Sequence, residues 1–277
     1  MNEFNPQDIL QEWQNTDLKL LPTFAIIGAM KSGTTSLYHY MNEHPDIYFP
    51  EIKEPGIFLS FAQHKKKMAT NDVHIESRQH AIEYLMQDYQ GQSHIGEASI
   101  FYTKAPTQGM DSPLRIKLLQ PSIKLIYLLR NPLDRIISHY QHNCIYFKHV
   151  KKSEFNHYLA VNSQILLATS LYFYQLSHFL KQFTLDSFLI ITTEELELHP
   201  EQTLKQVFEF LDIDSQFQCK SLAVKHHTSG KHLDIEKPKF DRQTYQQVMK
   251  MISQDVQKME LFLGKKLNWD FSEQNYT

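Results

Sequence analysis

Apolar positions along this chain fall into a few short solid runs, separated by longer stretches with helical spacing. The run Phe24-Ala25-Ile26-Ile27 ends at Gly28, and Thr34 to Glu43 then offers Leu37, Tyr40 and Met41 as one buried helical face. The run Lys124-Leu125-Ile126-Tyr127-Leu128-Leu129 is apolar at nearly every position, as a parallel strand covered on both faces requires. Pro132 and Asp134 then open a helix that runs to about Phe147. A third run, Phe188-Leu189-Ile190-Ile191, precedes a helix from Thr203 to Leu211. Further helices are predicted over Glu76 to Tyr89, Ser163 to Gln182 and Arg242 to Leu263, with Trp269 as an anchor after the last. His64 to His74 reads as a surface loop, as does the stretch punctuated by Pro106, Gly109 and Pro113. Residues 1–20 form a polar lead-in helix. Strands alternating with helices imply a three-layer αβα fold around a mainly parallel sheet. No linker-like break divides the 277 residues, so one domain is expected, closed by the helix and tail of 242–277.

Composition narrows the function classes. The 28 basic and 31 acidic residues give a formal charge of −3, which excludes a general nucleic-acid or membrane-surface binder and makes any anion site local. Cys144 and Cys219 make no metal spacing or redox motif, and a reducing compartment is expected. The polar, acidic N-terminus does not read as a signal peptide, and no stretch reaches the roughly 18 apolar residues of a membrane span. The expectation is a cytoplasmic protein.

The candidate chemistry starts at Gly28-Ala29-Met30-Lys31-Ser32-Gly33-Thr34-Thr35-Ser36. A strand that feeds a helix through such a loop aims backbone N–H groups and the positive helix end at one point. Gly33 permits close approach, Lys31 adds a charge, and Thr34, Thr35 and Ser36 add hydroxyls. The loop is P-loop-like but not Walker A, which needs Gly-Lys-Ser/Thr, because Lys31 precedes Gly33. A nucleotide kinase would end a buried strand with a metal-holding Asp. Here the 124–129 strand ends in Arg130, which binds an anion and repels a metal. The bland alternative is a tight strand-to-helix turn with solvated polar residues.

Lys31-Ser32-Gly33-Thr34-Thr35 after an apolar strand resembles the 5′-phosphosulfate loop of sulfotransferases that use PAPS (3′-phosphoadenosine 5′-phosphosulfate). Leu129-Arg130-Asn131-Pro132-Leu133-Asp134-Arg135, followed by Ser138 and Tyr140, resembles their 3′-phosphate segment, in the style of bacterial and heparan-sulfate-type members. The resemblance implies PAPS as sulfuryl donor, PAP as product, no required metal, and a small-molecule or carbohydrate acceptor bearing a hydroxyl or amine. It implies that Lys31 stabilises the departing phosphate. Arg130 and Ser138 also have the chemistry to converge on one phosphate, although Arg130 could instead pair with Asp134. Arg135 is assigned to surface or structural work.

The resemblance assigns the general base to Glu54, within Pro50-Glu51-Ile52-Lys53-Glu54-Pro55-Gly56-Ile57-Phe58, where Gly56 replaces a histidine frequent in relatives. A surface pair with Lys53 is the alternative for Glu54, and Lys53 itself is a candidate contact to the donor sulfate. Gly96-Glu97-Ala98-Ser99 and Tyr102 resemble a segment lining the acceptor cleft. Ala98 stands where heparan-type members place lysine, which argues against a highly sulfated polysaccharide. Glu97 could equally be a buried carboxylate that holds loops together. Ser170, in Ser170-Leu171-Tyr172, resembles a further nucleotide contact, and Ser229, Gly230 and Lys231 resemble a loop around the 3′-phosphate or form a plain turn. The fifteen histidines, including His139, His142, His226, His227 and His232, make no metal motif. Two other classes compete: an ATP- or GTP-dependent kinase, with Glu194 and Glu195 as its only tolerable metal ligands, and a catalytically silent nucleotide-binding protein.

Overall fold

The computed structural model describes residues 5–147, 150, 151, 153–223 and 237–277. After α1 (Pro6–Gln11) the chain enters β1 (Phe24–Gly28), α2 (Thr34–Met41), β2 (Ile47–Tyr48), α3 (Phe61–Ala69), α4 (Arg78–Leu85) and β3 (His94–Ala98). It continues through α5 (Ser112–Leu119), β4 (Lys124–Leu129), α6 (Pro132–Tyr146), α7 (Phe155–Val161), α8 (Ser163–Leu166) and α9 (Tyr172–Phe179). The last elements are β5 (Phe188–Thr192), α10 (Thr193–Leu198), α11 (Pro200–Leu211), α12 (Arg242–Leu263) and α13 (Glu273–Tyr276).

The sheet has the order β2-β3-β1-β4-β5, and every pair is parallel. In such a sheet the side chains of each strand alternate between two faces, and both are covered. Phe24, Ile26, Ile126 and Leu128 pack with Leu37, Met41, Val207 and Phe208 of α2 and α11. Ala25, Ile27, Leu125 and Tyr127 face the other way, toward Ile136, Leu176, Phe179 and Ile252 of α6, α9 and α12. The chain passes from β1 out to the β2 edge, returns at β3, and then crosses to β4. The strand order therefore reverses at β1, and the crevice past its carboxyl end is where open α/β sheets hold ligands.

The three expected strands and the boundaries of α12 match the structure; Asp241 caps α12 by accepting from Thr244 N at 2.7 Å. Four expectations are corrected. His64 to His74 is not a loop throughout: Ser60 and Gln63 form a capping box that starts α3, which buries His64 and Met68. Pro113 does not end a loop but lies in the first turn of α5. The lead-in is helical only over α1 and a short 3-10 turn at Leu18–Leu20. The helix expected over Ser163 to Gln182 is broken between α8 and α9, because the Arg135 guanidinium takes the Leu166 carbonyl and the Ser170 hydroxyl. Asp255 of α12 caps the new helix start by accepting from Phe173 N and Tyr174 N at 2.9 and 2.8 Å. No helix among the described residues is long and apolar enough to cross a membrane.

Candidate functional site

The crevice at the end of β1 is built by the segment Gly28–Ser36. Thr103 donates to the Ile27 carbonyl at 2.8 Å, so close that a Cβ at Gly28 would meet its oxygen at 2.0 Å. Gly33 is needed for a different reason: its φ of 87° opens α2 in the left-handed region. Lys31 holds a similar φ of 71° without that freedom.

The loop's carbonyls are tied back. Arg135 Nη1 donates to Met30 O and Arg130 Nη1 to Lys31 O, each at 3.3 Å, and Thr193 Oγ1 donates to Ser32 O at 3.0 Å. The first helical bond runs from Leu37 N to Gly33 O at 3.1 Å, so the N–H groups of Gly33 to Ser36 come before the helical ladder begins. A loop with occupied carbonyls and free amides presents one sign of charge, and it suits an anion.

Lys31 is half-buried, and its pKa is lowered first by burial and then by the charges of Arg130, Lys53 and Arg135, with Glu54 opposing. A second negative charge placed there would relieve that repulsion. The buried Ser32 hydroxyl has no hydrogen-bond partner, a further polar group at the same place. Thr34 is buried, Ser36 half-buried and Thr35 exposed.

Lys53 reaches the same loop. Its ammonium donates to Thr35 Oγ1 at 2.7 Å and to Glu54 Oε1 at 3.3 Å, so the pair with Lys53 that is the alternative for Glu54 forms, at the rim of the Gly28–Ser36 loop. The charge of Glu54 also acts on Lys31, Lys104 and His142, opposing in part the lowering of each pKa. Burial is the larger influence on both Lys104 and His142; it lowers the Lys104 ammonium to about 8. Sequence reasoning assigned neither Lys104 nor His142 to the site, although both feel the Glu54 charge. Lys104 lies two residues past Tyr102, just after the 3-10 turn Ile100–Thr103, where no periodicity marks it.

Arg130, just before α6, and Ser138, near the middle of that helix, are both half-buried. The alternative ion pair does not form: Asp134 accepts instead from Lys237 Nζ at 3.0 Å and from Tyr276 OH at 3.3 Å. Arg135 has no exposed surface, so its work is structural rather than superficial. Ser170 is equally buried, with its hydroxyl accepting from Arg135 Nε and donating to Pro132 O at 3.3 Å. The structure thus places Ser170 behind the loop, in contact with Arg135.

Glu97 and Tyr102 are also buried. Glu97 accepts from the Ser99 hydroxyl and, at 3.3 Å, from Ile57 N, while Tyr102 OH accepts from Phe58 N at 3.1 Å. Burial raises the Glu97 carboxyl to about 7 against the hydrogen bonds that favour its charge. This is the loop-holding arrangement. Ser229, Gly230 and Lys231, with His226, His227 and His232, lie outside the described residues.

The carboxylates a kinase would need are engaged elsewhere. Glu194 accepts from Asn131 N at 3.2 Å, and Glu195 caps α10 and pairs with Lys265 at 2.6 Å. Among the described residues, no cluster of three His, Cys, Asp or Glu side chains could hold a metal ion.

The profile of the sulfotransferase domain family matches residues 21–239. Carbohydrate sulfotransferase 15 of Mus musculus is 27% identical over 250 residues, covering 71% of this chain and 44% of its own length. Heparan sulfate glucosamine 3-O-sulfotransferase 3B1 of the same organism is 23% identical, covering 96% of this chain and 69% of that one. The chain spans less than half the length of the first curated relatives it matches. Among solved structures, a sulfotransferase from Alicyclobacillus acidocaldarius shares the fold with a TM-score of 0.71 at 24% identity, covering 89% of this chain and 97% of that one. Mouse sulfotransferase SULT7A1, solved with PAP, shares it with a TM-score of 0.54 at 14% identity, covering 91% and 93%.

Proposed function

Because this chain belongs to the sulfotransferase domain family, we propose that its phosphate loop holds the 5′-phosphosulfate of PAPS and that the acceptor is a carbohydrate hydroxyl or amine. The observation that carries this reading is the loop itself: three successive carbonyls are tied back by side chains, and Lys31 stands among the free amides. An ATP-dependent kinase is not favoured, since Arg130 follows β4 where a metal-binding carboxylate would be needed.

Bound PAPS would supply an activated sulfuryl group, and the residues of the chain do the rest. Lys31 and the amides of Gly33 to Ser36 stabilise the negative charge that gathers on the departing 5′-phosphate. Arg130 and Ser138 hold the 3′-phosphate and so fix the donor's orientation. Glu54 takes the proton from the acceptor oxygen or nitrogen as that atom bonds to sulfur. Lys53, already on Thr35, is poised beside the sulfate.

The acceptor side adds a second argument. Phe101 is half-buried, with Lys67 Nζ and Lys104 Nζ at 5.1 and 5.0 Å from its ring centre. An aromatic face flanked by ammonium groups suits a sugar that carries acidic groups. Lys104 supplies the cation that Ala98 does not.

The test is thermal stabilisation by 3′,5′-adenosine bisphosphate against ATP with Mg²⁺. At a hundredfold excess over its Kd, a ligand that binds only the folded state adds about 2.7 kcal/mol. Stabilisation by the bisphosphate is expected; a preference for ATP with Mg²⁺ would sink the proposal.

A further inference from the structure

The segment Glu54 to Phe61 holds a conformation that its sequence does not favour. Glu54 has a φ of 58°, in the left-handed region, although it carries a full side chain and precedes Pro55. A residue before proline is driven toward extended conformations, and left-handed backbone is disfavoured away from Gly, Asn and Asp. Such an outlier persists only where its surroundings over-determine it.

The surroundings do so group by group. The amides of Gly56, Ile57 and Phe58 donate in succession to Ser99 Oγ at 2.9 Å, Glu97 Oε2 at 3.3 Å and Tyr102 OH at 3.1 Å. These three acceptors are buried side chains at the end of β3 and just beyond, and Ser99 donates in turn to Glu97. On the other side, Arg78 donates to Ile57 O at 3.0 Å and Leu59 O at 2.5 Å. Glu12, just past α1, anchors Arg78 at 2.7 Å and accepts from Phe61 N at 3.0 Å.

We propose that Glu97 is a positioning residue for sulfuryl transfer: with Ser99 and Tyr102 it clamps the backbone of residues 56–58 and thereby sets the carboxylate of Glu54. The inference rests on the reading of Glu54 as the base. Glu97 has no exposed surface, so its influence passes through the backbone it holds. Gln should substitute for it, since an amide can turn its oxygen to Ile57 N–H and its NH₂ to Ser99 Oγ, whereas Ala offers neither.

The experiment uses PAPS with water as acceptor. In this reaction a water oxygen bonds to sulfur, the bond from sulfur to the 5′-phosphate oxygen breaks with its electron pair going to PAP, and Glu54 takes the water's proton. Glu97→Ala should slow this release as far as Glu54→Gln does, roughly a hundredfold. The double variant should be no slower than either single one. Glu97→Gln should recover most of the rate, and PAP binding should stay within about threefold throughout. Amide hydrogen exchange at Gly56, Ile57 and Phe58 should quicken at least about tenfold in Glu97→Ala.

Multiplying rate losses in the double variant, or unchanged exchange at those three amides, overturns the proposal. Should Glu97→Ala not fold, Ser99→Ala removes the acceptor of Gly56 and the donor to Glu97 while leaving Glu97 in place, and carries the same test. If PAP fails to bind the unaltered protein, the donor reading fails instead, and exchange at the three amides still decides whether the clamp exists.

Discussion

The phosphate loop and the Glu54 loop solve the same problem with opposite polarity. Each places a charged residue at a left-handed φ, Lys31 at 71° and Glu54 at 58°. In the phosphate loop, side chains of Arg135, Arg130 and Thr193 take the carbonyls and leave the amides open. In the Glu54 loop, Ser99, Glu97 and Tyr102 take the amides, and Arg78 takes carbonyls as well. The first arrangement exposes positive dipoles to a ligand. The second leaves no amide of residues 56–58 to compete for an anion, so the anionic group there is the protein's own. Which half of the peptide group is satisfied internally decides what a loop can bind.

The largest test of that contrast is Lys31→Ala. Removing the ammonium should cut sulfuryl transfer by roughly 10²–10³-fold while the tied-back loop still folds, measured as PAP formation against the circular dichroism of the variant. Turnover near that of the unaltered protein would mean the amides alone carry the leaving group.

Next comes Arg135→Met, which keeps volume but frees the carbonyls of Met30 and Leu166 and the Ser170 hydroxyl. Each buried group left unpaired costs about 1–3 kcal/mol, so the denaturation midpoint should fall and PAP binding should weaken with it. Weakened stability with unchanged PAP affinity would show that the carbonyl tethers do not set the amides.

The clamp side predicts a pH effect. The Glu97 carboxyl lies at about 7 in the folded chain, above its ordinary 4.5, with Ser99, Tyr102 and the amides of Gly56 and Ile57 facing it. Folding therefore favours the protonated form. Its contribution is fully present below about pH 4.5 and is lost as pH rises through 7, a change on the order of 3 kcal/mol. Glu97→Gln should flatten stability against pH across that window; an unaltered slope would assign the dependence to other groups.

The smallest expected effect is Asp134→Asn. Its bond to Lys237 is partly exposed, so stability should change by less than about 1 kcal/mol. PAP affinity should hold, because Arg130 is tied to Lys31 O and not to Asp134. A clear loss of affinity would return Asp134 to the site.

Much of the fold is legible in the sequence because β1 and β4 are buried on both faces and read as unbroken apolar runs, and β5, half-buried at the sheet edge, is apolar over 188–191 as well. The strands β2 and β3 are not so legible. Two residues are too few to show a period, and His94-Ile95-Gly96-Glu97-Ala98 places a glycine and a carboxylate inside a strand. Gly96 is there because a Cβ would meet Phe49 at 2.3 Å. Glu97 is there to receive a loop that lies forty residues earlier in the chain. Likewise, nothing local announces that α8 and α9 are separate, since the break is made by Arg135 from another helix.

The sequence by itself determined the fold class and the strand, loop and helix unit at Gly28–Ser36, because apolar runs and glycines are local properties that survive without coordinates, and the motifs at Lys31–Thr35 and Leu129–Arg135 carried the resemblance to the family. Only the tertiary structure decided what those residues do to one another. It set Ser170 against Arg135, brought Lys104 and His142 within the field of Glu54, and gave Glu97 the loop-holding contact to Ile57 N. The physical reason is that a peptide group is satisfied by whichever side chain arrives beside it, and in this protein the partners come from distant elements.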